Sequence, residues 1–349
     1  MSYLIICLAL LLPTPVFGKW ITGYYSISSI QPISAIPWHN YTHIIHFAAA
    51  PGLNGTVDFH YLTPERSREI VRARPNGKKV LVCIMDGGVG FREATSPETL
   101  NRFARSIAEF INQYGYDGVD IDWEKDIDVN QFEKLIRELR NIMPRKVITL
   151  AGGNWGDMPS VASVSQTDLD QINVMCYDMD VGHGCSGLDC TWYNSSVFQG
   201  GEADKHACEW RVRAFLLAGV AASKIGIGIP LYGRRHVGAT EPGVKGKFPR
   251  YTVYYRDLAV DQERWQQAYQ RYDAVHKANY LSIEPLNEFV SYTGTQFIAD
   301  TVAWMRSAGF GGIMEFVTEY EYLSGQIGDA RYPLSTTVRN EVLRRGGKK

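Results

Sequence analysis

Short apolar runs recur at 20–25, 42–48, 79–85, 118–123, 147–151, 172–177, 225–230 and 312–316. Each is bounded by polar or turn-forming residues, and runs of this length fit strands buried on both faces. Helical spacing fills several of the intervals. Thr63 before Pro64, and Ser96 before Pro97, each place an N-cap ahead of a Pro at the first helical position. Asn130, with Glu133 three residues on, forms a capping arrangement before Phe132, Leu135, Ile136 and Leu139. Residues 207–221 and 296–308 carry helical periodicity, and Gly309 stops the second. Strands alternating with helices predict an α/β protein with parallel pairing. Eight such units predict a closed (β/α)8 TIM barrel, although a doubly wound sheet shares the alternation. In both architectures ligands meet the C-terminal ends of the strands.

The interval between the seventh and eighth runs, 233–311, is longer than a barrel loop and helix require. It contains strand-like segments at 251–255, 280–283 and 289–292. These predict a small α+β insertion at about 235–293 forming one wall of a cleft.

One strand breaks the apolar rule. From Asp120 onward the octapeptide 117–124, DGVDIDWE, alternates with period two. As a strand it points Asp120, Asp122 and Glu124 to one face and Val119, Ile121 and Trp123 to the other. Acids this close raise at least one pKa. A solvated acidic face would not alternate with Val, Ile and Trp. A calcium loop would need Gly at its sixth position, where Lys125 stands. A carboxylate cluster built for acid–base work is the reading that remains.

The 349 residues suit a barrel with insertions, and a net charge of −1 gives no basis for nucleic acid or an anionic membrane as partner. Residues 1–18 read as a secretory signal: an apolar stretch over 4–12, then Pro13 and Pro15, then the small residue Gly18 before Lys19. The mature chain, 19–349, is therefore expected to be secreted and free of the membrane. Asn40, Asn54 and Asn194 open glycosylation triplets. Cys83 and Cys176 sit in apolar runs and read as buried thiols. Cys185, Cys190 and Cys208 cluster in a loop-rich segment, where one disulfide is expected.

With the octapeptide in place, the chain resembles family 18 of the glycoside hydrolases, the chitinases and related endo-β-N-acetylglucosaminidases. DGVDIDWE matches the DGxDxDWE signature at every fixed position. Further resemblances fall in family order at Gly23–Tyr25, 42–47, Met175–Asp178 (the MxYD motif), Gly228–Arg234 and Gly311–Met314. Two departures stand out. The third strand ends in Met85, Asp86, Gly87, Gly88 where the family has Ser-x-Gly-Gly. Phe316 replaces the Trp expected two residues after Met314. Losing about 50 Å² of ring contact at ~25 cal/mol per Å² weakens sugar stacking by on the order of 1 kcal/mol.

The resemblance implies a substrate-assisted, retaining mechanism. Glu124 protonates the glycosidic oxygen and later acts as base. Asp122 holds the 2-acetamido N–H while the acetamido oxygen closes an oxazolinium ring, and Asp120 supports Asp122. Tyr177 positions the acetamido carbonyl, and Asp178 holds the distorted sugar. Tyr24, Phe47, Met175, Tyr232, Met314 and Phe316 would line the site, with Trp155, Trp192 and Trp265 as candidate platforms. Asp117 opens the strand in a structural role. The implied partner is an N-acetylglucosamine-containing polysaccharide or oligosaccharide, bound by a monomer without cofactor or metal. The N-glycan core is the alternative substrate. A non-catalytic chitinase-like lectin is the alternative class, against which the retained Glu124 argues.

Overall fold

The structure, a computed structural model, describes residues 19–344 apart from 61, 88, 154, 181–188 and 201–205. Residues 1–18, read above as a secretory signal, lie outside the described residues, and among those described no helix is long and apolar enough to cross a membrane.

The chain forms β1 (Trp20–Ser26), β2 (His43–Pro51), β3 (Val57–Asp58), β4 (Lys79–Met85), β5 (Gly118–Asp122), β6 (Val147–Gly152), β7 (Gln171–Val174) and β8 (Ile225–Pro230). It continues with β9 (Tyr232–Val237), β10 (Arg250–Tyr254), β11 (Gln270–Asp273), β12 (Ala278–Ile283), β13 (Glu288–Tyr292) and β14 (Gly312–Phe316). Strands β1, β2, β4, β5, β6, β7, β8 and β14 pair in parallel, and the β1–β2 and β1–β14 pairings close the barrel. All eight predicted strands are present. The sixth is shorter than its apolar run and ends at Val174. Beyond it Asp178 takes a left-handed backbone (φ 56°), and its N–H is held 3.1 Å from Asn194 Oδ1.

Barrel packing explains the residues at the start of β5. A Cβ on Gly118 would lie 1.9 Å from the Val147 carbonyl oxygen of β6, so a side chain there would push the strands apart. Asp117 anchors the same corner, accepting from Val80 N at 2.8 Å and pairing with Arg74 and Lys79. Register then places Asp120 between Cys83 of β4 and Thr149 of β6. The outward face of β5 joins the helical layer: the buried Trp123 ring stacks on Phe91 at 5.1 Å and contacts Phe132 at 5.9 Å.

A separate antiparallel sheet, ordered β10–β9–β13–β12–β11, occupies the interval between β8 and β14, with its own apolar cluster of Leu258, Leu281, Ile283, Val290 and Tyr292. Each of the three short strands predicted there is present. β9 and β11 were not in the pattern, since their exposed or charged positions hide the alternation.

Helix starts needed correction in two places. Thr63 caps the helix Pro64–Ala73 as expected, accepting from Arg66 N. The helix expected after Ser96 begins at Leu100, because a turn through Thr99 intervenes. The next helix, Val129–Ile142, is capped by Asp128, whose carboxylate accepts from Gln131 N at 3.0 Å, so Asn130 lies inside the first turn. The two later helices run Cys208–Leu217 and Thr295–Ser307.

The disulfide expectation changes in part: Cys190 is disulfide-bonded, as the loop-rich segment suggested, but Cys208 pairs outside that segment. Cys176 is not a thiol: it is bonded to Cys208 across 32 residues, with Cα atoms 4.8 Å apart. The apolar run that suggested an inert thiol is the strand end against which the helix Cys208–Leu217 docks its first turn. Cys185 lies outside the described residues, and Cys83 is free and buried. Of the glycosylation triplets, Asn40 and Asn194 are 1% exposed and hydrogen-bonded, which leaves Asn54 at the surface.

Closing a loop of this length removes roughly 3–4 kcal/mol of unfolded-chain entropy. Replacing Cys176 and Cys208 together by Ala is expected to lower the free energy of unfolding by about that amount. Urea denaturation measures it, and a loss below about 1 kcal/mol would contradict the loop-closure account.

Candidate active site

Two side chains of β5 and one from the turn that follows it form a column rising to the C-terminal mouth of the barrel. Asp120, at the bottom, is fully buried. It accepts a hydrogen bond from Tyr24 Oη at 2.6 Å and another from Thr149 Oγ1. Burial raises its pKa, and the Thr149, Tyr24 and Cys83 donors oppose the rise. Burial also raises the Tyr24 phenol far above its usual range, so it stays a donor.

Asp122 is 6% exposed, and its Oδ1 has no hydrogen-bond partner. Burial first, then the charges of Glu124, Asp120 and Asp86, push its pKa well above the usual carboxylate range. Glu124 opens onto the cavity. The enclosing walls raise its pKa first, the Asp86 and Asp178 carboxylates add to the rise, and Lys125 opposes it. Asp122 and Glu124 are within reach of one proton and titrate as a pair. A carboxyl group with a raised pKa, beside a second carboxyl group coupled to it, is an arrangement suited to general acid catalysis.

The turn that presents Glu124 is held from both sides. Asp86 accepts from the Glu124 N–H at 2.5 Å and from the Lys125 N–H at 2.7 Å. The Trp123 indole N–H donates to the Lys125 carbonyl at 2.6 Å. Asp86 was legible only as a departure on the third strand, and its partners on the neighbouring strand's turn were not.

The column rises into a cavity of about 590 Å³. Tyr24, Phe47 and Phe316 form one wall, with ring centres 5.4–5.7 Å apart, and Tyr177 lies nearly parallel to Phe316 at 5.9 Å. Opposite, Asp178 Oδ1 accepts from Tyr232 Oη at 2.9 Å and pairs with Arg234. Met175 also faces the space. Thus nine of the eleven residues singled out from sequence line the cavity: Asp122, Glu124, Tyr177, Tyr24, Phe47, Met175, Asp178, Tyr232 and Phe316. The other two lie just behind it. Asp120 is below Asp122. Met314 is fully buried, with its Sδ 4.0 Å from the Tyr177 hydroxyl.

The tryptophans divide. Trp155 lines the cavity. Trp192 is a correction: it is 3% exposed, and its indole N–H donates to the His206 carbonyl. Trp265 packs on Tyr255 and Tyr292 in the second sheet, away from the cavity lining. Lys125 and Arg211 also line the cavity, and neither was foreseen. Lys125 follows the signature directly. Arg211 sits in a helix whose sequence carries no motif.

The family model described as Glycosyl hydrolases family 18 matches residues 20–320. "Chitinase 1" of Aphanocladium album is 26% identical over 246 residues, 63% of this chain and 56% of the relative. "Chitotriosidase-1" of Mus musculus is 26% identical over 279 residues, 69% of this chain and 57% of the relative. The chain thus spans little more than half the length of these curated relatives. The Group IV chitinase of Ostrinia furnacalis shares the fold with a TM-score of 0.76 at 21% identity, covering 93% of this chain and 99% of that one.

Asp86→Asn keeps an acceptor oxygen for the turn but removes a negative charge near Glu124. The Glu124 pKa is therefore expected to fall, because its ionised form is repelled less. An NMR titration of the Glu124 carboxyl carbon reads the shift, and an unchanged or higher midpoint would contradict the electrostatic assignment.

Proposed function

The chain belongs to the glycosyl hydrolases family 18, and from that premise we propose that it is a retaining glycosidase acting on β-1,4-linked N-acetylglucosamine. The observation that carries this reading is the Asp122–Glu124 carboxyl pair, both members with raised pKa, lining an aromatic-walled cavity.

In this reading a sugar lies against Phe316, with its acetamido group directed down at Asp122 and Tyr177. Glu124 gives its proton to the glycosidic oxygen. As that bond breaks, the acetamido carbonyl oxygen closes on C1 to form an oxazolinium ring, so the substrate supplies its own nucleophile. Asp122 accepts the acetamido N–H and balances the developing positive charge, while Asp120, fixed by Tyr24 and Thr149, polarises Asp122 from below. The Tyr177 hydroxyl orients the acetamido carbonyl. Asp178, held by Tyr232 and Arg234, fixes the distorted ring. Water then opens the oxazolinium ring with Glu124 as base, which retains the anomeric configuration. Export of the mature chain fits this role, and the Cys176–Cys208 bond supports an oxidising compartment.

Glu124→Gln is expected to reduce turnover of chito-oligosaccharides by at least ~10²-fold, the lower range of a general acid's contribution, while ligand binding persists. Release of reducing ends measures the first and calorimetry the second. Wild-type rates in this variant would defeat the proposal. For the wild type, the sign of pH dependence follows from the raised pair: activity holds while Glu124 keeps its proton and declines as pH rises through its pKa. A high-mannose glycoprotein assayed beside the chito-oligosaccharides separates the N-glycan alternative.

A further inference from the structure

The cavity is lined by three carboxylates, Asp122, Glu124 and Asp178, and three cations, Lys125, Arg211 and Arg234. Their charges do not cancel locally. Arg234 is committed to Asp178 and lies 3.6 Å from Asp180. Among the described residues, the exposed Lys125 and the buried Arg211 are in no ion pair.

Arg211 is the more unusual of the two. It is 7% exposed, and its Nε is buried without a hydrogen-bond partner. One guanidinium N–H donates to the Met175 carbonyl, and the group lies 5.4 Å from the Trp155 ring centre. Among the described residues no carboxylate lies within ion-pair distance of it; Asp178, the acid that acts on it most strongly, is taken by Arg234. Its position is also fixed. Arg211 stands one turn into the helix Cys208–Leu217, whose first residue is bonded to Cys176, next to Met175.

A buried cation needs a counter-charge or full hydrogen bonding. A neutral chito-oligosaccharide offers only hydroxyl and amide groups. A carboxylate would meet the guanidinium with paired, charge-assisted hydrogen bonds, as Arg geometry favours.

We propose that Arg211, with Trp155 beneath the sugar face and Lys125 on the rim, forms a carboxylate-accepting subsite. The substrate class is then an N-acetylglucosamine glycan in which a neighbouring sugar bears an acid group. This rests on the hydrolase reading above. The acid could be a lactyl ether on a hexosamine or the C6 carboxylate of a uronic acid.

The test compares kcat/KM on three oligosaccharides of equal length: neutral β-1,4-linked N-acetylglucosamine, one with 3-O-lactyl ethers on alternate sugars, and one with alternating uronic acids. Wild type, Arg211→Gln and Arg211→Lys are assayed on each. The wild type is expected to favour one acidic substrate over the neutral one by at least tenfold. That ratio should fall to near unity in Arg211→Gln and be partly retained in Arg211→Lys. An arginine that only braces Met175 and Trp155 would lower all rates together and leave the ratio unchanged, which overturns the proposal. A wild-type ratio near unity on both acidic substrates overturns it as well. Absence of turnover on all three would instead defeat the hydrolase reading. Calorimetric binding of the same three ligands would then decide the subsite, with acidic preference supporting it and equal affinity overturning it.

Discussion

Negative charge crowded at the C-terminal end of one barrel strand is the constraint on which the rest of this structure depends. Asp120 and Asp122 share one face of β5 with Glu124 on the turn just beyond it, and the parallel strands on both sides bury the two aspartates away from the water that would screen them. Charges at low effective dielectric repel strongly. The structure answers with neutral donors below, from Tyr24 and Thr149, and the crowding raises the pKa of both upper acids. A carboxyl group whose ionised form is disfavoured is suited to act as a general acid. The electrostatic difficulty of the strand and its proposed chemistry are therefore the same property.

The surrounding elements keep those acids in place. Asp86 and the Trp123 indole fix the turn that carries Glu124. Tyr232 and Arg234, both on β9 of the second sheet, fix Asp178 across the cavity. The Cys176–Cys208 bond ties the end of the sixth barrel strand to the helix bearing Arg211. Each anchor lies on a different strand, loop or helix, so the cavity's geometry depends on the barrel being closed.

Legibility in the sequence followed the range of the interactions. Apolar run length marked all eight barrel strands because each is buried on both faces, and the alternating octapeptide marked the column because its acids are neighbours on one strand. The MxYD and Gly228–Arg234 segments resembled known motifs, so the cavity walls were foreseen from them. What escaped depended on distant partners. Cys176 looked inert because its partner is 32 residues away in a helix. Asp86 looked like a mere departure because the amides it holds belong to the next strand's turn. Arg211 left no trace, since one charged residue in a helix reads as surface. The helix caps were displaced for a local reason: Asp128, two residues before Asn130, captures the free amide first.

The buried glycosylation triplets bear on where this chain can be made. Asn194 accepts from the Asp178 N–H and donates to the Tyr232 carbonyl, and Asn40 donates to Ser335 across the barrel's outer layer. Oligosaccharide is attached to such triplets while a chain is still entering the lumen, before burial can protect the amide. A branched glycan on Asn194 would stand where the wall of the cleft must close. A eukaryotic secretory host would thus divert part of its output into molecules unable to complete the site, and a cell without that modification would not.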